Sequence, residues 1–150
     1  MEFLAGLHPK VIHFPIAFFI LYFIFETAGI ILKKEYLNKS AFIILALAVF
    51  FSIVAVLTGN QAHEMVKQIQ ADAALYNELI DKHELFSTIT LWYFLALLIA
   101  RTYLTVKKKF ADKLRYLFVL LGLIGTVLIY LTATYGGELV FKYGIGTKLF

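Results

Sequence analysis

Four imidazoles are the most reactive groups in this chain: His8, His13, His63 and His83, with no cysteine beside them. Imidazole binds transition metals and haem iron and exchanges protons near neutral pH. Each histidine falls at the end of a hydrophobic stretch, and once the chain is threaded through a bilayer all four lie on the same side. A membrane chain that gathers its only imidazoles at one surface offers them to a metal, a haem or a proton. The absence of cysteine removes disulfides, thiolate metal sites, iron–sulfur clusters and c-type haem attachment together.

The elements that must carry these groups are written in the composition. Hydrophobic residues make up 61% of the chain and charged residues 16%, and the mean hydropathy is +0.83, outside the range of soluble globular domains. Apolar runs cover 11–32, 41–60, 84–106 and 114–135 when their polar flanks are included. Each is close to the roughly 20 residues that cross a hydrocarbon core. The expectation is one integral membrane domain of residues 1–150, an all-α fold with four antiparallel transmembrane helices joined by short connections. Between the second and third, residues 61–82 read as an amphipathic helix on the membrane surface, because Met65, Ile69, Ala73 and Tyr76 recur every three or four positions. No internal repeat is evident in the residues.

Lys and Arg set the orientation. Nine lie in the two connections on one side, among them Lys33, Lys34, Lys39, Arg101, Lys107, Lys108 and Lys109, against five on the other. That bias predicts both termini outside a bacterial or archaeal cytoplasmic membrane, with the histidines on the outer face. The opening residues lack the basic region of a cleavable signal, so the first helix is expected to stay as a signal-anchor. The net charge of +4 then describes topology and contact with anionic lipid headgroups, and nucleic acid is not an expected partner.

Within the first helix, prolines at Pro9 and Pro15 place the start near Phe14, or at Pro9 with a bend at Pro15. His13 and His83 would then sit at similar shallow depth on facing helices and could supply both axial ligands of a b-type haem. Ala17 and Gly136 would make room for the ring. His8 and His63 form a second pair, or add to a Zn²⁺ or Cu²⁺ site with Glu64 or Glu84. The competing reading is that these imidazoles only form hydrogen bonds at the interface of a structural or assembly subunit. Glu26 and Arg101 are expected to reach a common depth near the opposite face, where pairing would offset the cost of charge in lipid. Gly122 and Gly125 leave space for a neighbouring helix or a flat ligand. Hydrolytic catalysis is disfavoured, since no serine elbow, HExxH or phosphate loop is present.

The segments Leu7-His8-Pro9 and Val11-Ile12-His13-Phe14-Pro15-Ile16-Ala17, with Glu26, His83 and the close Gly136-Gly137-Glu138-Leu139-Val140-Phe141-Lys142-Tyr143-Gly144-Ile145-Gly146, resemble the domain of unknown function 2231 family. That resemblance implies four transmembrane helices. It also implies a place in membrane electron transfer, because related regions occur joined to Rieske-type iron–sulfur domains. The family pattern favours histidine where this chain has Tyr143. From residues and resemblance together, the expected function is a b-type haem electron carrier rather than a stand-alone enzyme. Its expected partners are quinone or an outer-face redox protein, in a homo- or hetero-oligomer. The alternatives are a Zn or Cu binding membrane protein and a structural subunit.

Overall fold

A computed structural model of the chain describes residues 2–69, 77–110 and 113–145. Among them the secondary structure is helical throughout: α1 (Glu2–Val11), α2 (His13–Ile31), α3 (Glu35–Ile69), α4 (Asn77–Val106) and α5 (Lys113–Tyr143). Four stretches are long and apolar enough to cross a membrane, Phe3–Ile31, Glu35–Val66, Asn77–Val106 and Lys113–Tyr143. Large apolar side chains at mid-helix, including Ile24, Phe50, Leu57, Trp92, Ile99 and Val127, face outward. In water that would be an aggregating surface; in a bilayer it is the lipid-facing wall. The protein is a multi-pass membrane protein.

The helices run further than the apolar segments do. The first crossing begins before Pro9, is interrupted only at Ile12, and resumes at His13, so that Pro15 occupies the opening turn of α2. A first-turn residue has no intrahelical acceptor for its N–H, which is why proline is tolerated there. The surface helix expected over 61–82 is not present as a separate element among the described residues. Its first part continues α3 to Ile69 and its last part opens α4 at Asn77; residues 70–76 lie outside the described set. Residues 60–82 include no proline or glycine, and extending an existing helix is cheaper than nucleating a new one.

The crossings form a ring in which α2 packs on α3 and α5, and α4 packs on the same two neighbours. The first and third crossings therefore face each other across a diagonal. There the rings of Phe19 and Phe94 stack with centroids 3.6 Å apart. A Cβ at Gly125 would run into the Phe94 ring, and one at Gly122 would lie 3.1 Å from Phe23. The two glycines thus admit neighbouring aromatic rings. At the lysine-rich end, Arg101 Nη1 donates to Glu26 Oε1 at 2.6 Å, with both side chains almost completely buried. Arg101 Nη2 also donates to the carbonyl of Asn38 at 3.2 Å, and its guanidinium lies 3.3 Å above the ring of Phe110. Helices α2 and α3 and the connection after α4 thus converge on one cation.

A two-fold repeat that residue identities conceal is visible in burial and backbone. The buried residues of α4 are Ile80, Thr90, Phe94, Leu97 and Arg101. Each lies 75 positions after a buried residue of the first crossing: Ala5, Pro15, Phe19, Tyr22 and Glu26. In the other pair of crossings, buried Ala41, Leu45, Ala48 and Ser52 are matched 77 positions on by buried Phe118, Gly122, Gly125 and Ile129. The helix ends repeat too. Lys33 and Lys108 both take positive φ, 53° and 54°. Lys34 N–H donates to Gly29 O at 3.0 Å and Lys109 N–H to Leu104 O at 2.9 Å, the six-to-one closure of a helix C-terminus. The chain is two similar helix pairs related by an approximate two-fold axis running along the bundle.

Removing one member of the buried pair leaves the other charge uncompensated. Glu26→Leu is expected to cost about 3–5 kcal/mol, while the double change Glu26→Leu with Arg101→Met costs less than its two single changes, Glu26→Leu and Arg101→Met, added. Thermal unfolding of the three variants in one detergent checks this; strict additivity would contradict it.

Candidate functional site

At the end of the bundle opposite Glu26 and Arg101, the same diagonal brings two imidazoles together. His8 and His83 are repeat equivalents, 75 positions apart, and each stands 18 residues before its charged helix partner, Glu26 or Arg101. Eighteen residues make about five helical turns and about 27 Å, so the two levels share one helix face on opposite sides of the hydrocarbon thickness. The His8 and His83 ring centroids are 6.5 Å apart, with ring planes at 73°.

Each ring is fixed by the helix beside it. His8 Nδ1 lies 3.0 Å from the carbonyl of Ala55 and 3.1 Å from Thr58 Oγ1 in α3. His83 Nδ1 lies 3.1 Å from the carbonyl of Thr132 in α5. A carbonyl only accepts, so Nδ1 carries the proton in both residues and Nε2 keeps the lone pair. Thr58 directs its own hydroxyl at the carbonyls of Val54 and Ala55, each at 3.0 Å. Ala55 and Thr132 are themselves repeat equivalents, 77 positions apart. Beyond them stand Gly59 and Gly136, where a Cβ would approach His8 Cε1 to 2.9 Å and His83 Cε1 to 2.8 Å.

The pairing differs from the one read from the sequence. His83 faces His8, whereas His13 is on an exposed face of α2. The helical start at Glu2 explains the exchange. Because α1 is already helical at His8, that residue and not His13 is in register with the buried stripe of the first crossing. Ala17, expected to make room for a ligand, is exposed, while Gly136 does lie against His83. His63 reaches across from α3 to α4, its Nδ1 3.4 Å from Glu84 Oε2. Among the described residues no group of three or more His, Cys, Asp or Glu could hold a metal ion, so the four-histidine ion site is not assembled. What sequence reading missed is the pair of anchoring carbonyls. A backbone acceptor leaves no residue signature, although the recurrence of glycine at 59 and 136 was there to be found.

A family described as a predicted membrane protein (DUF2231) has a sequence model that matches residues 5–149. The chain belongs to this family. No curated protein and no solved structure matches it. At the position where the DUF2231 resemblance favours histidine, Tyr143 packs against the small cluster of Val66, Ile80 and Leu139, and Lys142 Nζ lies 5.3 Å from its ring. That end of α5 closes with Gly144 at φ 68° and Ile145 N–H donating to Leu139 O.

The tautomers give a direct check. Side-chain ¹⁵N spectra of the cofactor-free protein should show His8 and His83 locked with the proton on Nδ1, and His13 averaged as an exposed imidazole. A proton on Nε2 of either buried ring would contradict the assigned carbonyl bonds.

Proposed function

We propose that this chain is a b-type haem protein of the membrane, with His8 and His83 as the two axial ligands, and that it serves in electron transfer. The observation that carries the reading is the mutual placement of the two rings. Imidazoles bound on opposite sides of one metal ion, each at a bond length of about 2 Å, have ring centres about 6 Å apart; here they are 6.5 Å apart. The donor set fits the same group. Two nitrogens are half of what Zn²⁺ requires, and the described residues place no third ligand beside them. Haem iron receives its other four nitrogens from the porphyrin and asks two from the protein.

The chain's residues have definable parts in this reading. The carbonyls of Ala55 and Thr132 hold Nδ1–H, fix which nitrogen is presented, and raise the basicity of Nε2. Haem held by both His8 and His83 would have no ligand position left for a small molecule and would supply reversible one-electron exchange. The site lies near one end of the bundle, which suits a quinone or a redox protein at that face. The lysine bias assigns that face to the outside of the cytoplasmic membrane.

Dithionite-reduced minus oxidised spectra of detergent-purified protein from haem-replete cells, with metal analysis of the same sample, test the reading. The expected result is a sharp α-band of bis-imidazole type, lost in His8→Ala and His83→Ala and kept in His13→Ala and His63→Ala. Ring planes near perpendicular predict a highly anisotropic low-spin electron paramagnetic resonance signal in the oxidised state. A colourless sample overturns the reading, with bound Zn or Cu then supporting metal handling and an empty protein supporting a structural subunit.

A further inference from the structure

The two halves build the same cradle for their histidines, and its least noticeable part is a missing side chain. In each half the imidazole lies across a neighbouring helix, Nδ1 bonded to a carbonyl and Cε1 over the glycine four residues further on: Ala55 with Gly59 in α3, Thr132 with Gly136 in α5. Residues four apart are stacked on one helix face. The hydrogen bond therefore directs the Nδ1–Cε1 edge of the ring toward the helix, and the bare backbone at the glycine sets how closely that edge can approach.

We infer that Gly59 and Gly136 are matched positioning residues, which let the Nδ1–Cε1 edge of each imidazole close on its supporting helix so that both Nε2 atoms face one ligand on the two-fold axis. A Cβ at either position would come closer to the ring than real Cβ contacts do, 2.9 Å to His8 and 2.8 Å to His83. The ring cannot swing clear without giving up its carbonyl bond. A displaced ring turns its Nε2 off the axis and away from its counterpart. That the shared ligand is haem rests on the function proposed above; where the rings stand does not.

The role separates from ordinary packing by a double-mutant cycle on the cofactor-free protein. Gly59→Ala should lower the melting midpoint by about 4 °C or more, and His8→Ala, by removing the obstructing ring, should shrink that drop to less than about half. Gly136→Ala with His83→Ala should behave in the same way. The crossed combinations, Gly59→Ala with His83→Ala and Gly136→Ala with His8→Ala, should be additive. Coupling equal in matched and crossed pairs, or absent from both, overturns the inference. In protein that holds haem, each glycine variant should change the low-spin signal or lose the α-band. Gly122→Ala, which crowds Phe23 far from the imidazoles, should destabilise the fold without moving the spectrum. Glycine variants with an unaltered spectrum also overturn the positioning role. If the wild-type protein is colourless while the matched pairs couple, the haem reading fails and the positioning role stands.

Discussion

The contact between Glu26 and Arg101 fixes the register of the bundle. A charge inside a membrane domain is tolerable only beside its counter-charge, and this pair is almost fully buried with a 2.6 Å hydrogen bond between its members. Sliding or turning either helix by one residue would move its charged group about 1.5 Å along the axis and about 100° around it. The apolar packed surfaces of the bundle would tolerate small slips. This one would not. Because each charge is five turns from a histidine in its own crossing, locking the ion pair also helps to hold His8 opposite His83, with the Phe19–Phe94 stack between the two levels.

The repeat gives the arrangement its economy. An approximate two-fold axis along the bundle brings equivalent positions of the first and third crossings face to face. What occupies a position in one half therefore meets its own counterpart. At the upper level both counterparts are histidine, which suits one ligand held from two sides. At the middle level both are phenylalanine, which stack. At the lower level the halves have diverged to Glu26 and Arg101, because two like charges meeting on the axis would repel where opposite charges bind. The same geometry thus yields a facing imidazole pair, an apolar partition and an ion pair from two similar helix pairs.

The number of crossings, their antiparallel order and the meeting of Glu26 with Arg101 could be read from the sequence, since each rests on strong signals: long apolar runs, short connections and lone charges within them. The choice among histidines could not. His8 and His13 differ by five residues, or about 140° around a helix, and choosing between them required knowing that helix begins before Pro9. The repeat was hidden for a different reason. Its halves agree in burial but pair Pro15 with Thr90, Tyr22 with Leu97 and Glu26 with Arg101, and the offset changes from 75 to 77 between the two helix pairs. Residue identity differs at these positions although both members of each pair are buried. The period of three or four read over 61–82 could not separate a surface helix from extensions of α3 and α4, because it describes a helix equally well lying flat or standing upright.

The separation of the two polar levels limits what the chain can do alone. The imidazole pair and the ion pair are about 27 Å apart along the helix axis, and the stacked Phe19 and Phe94 occupy the diagonal between them. The lysine-rich end has no histidine, and its buried carboxylate already accepts from Arg101, so nothing there matches the imidazole pair as a ligand set. On the function proposed above, an electron held between His8 and His83 is close to one face of the membrane and remote from the other. On the proposed reading, donor and acceptor must both come to the histidine end, and the rest of the bundle serves to hold two rings at a fixed separation within lipid.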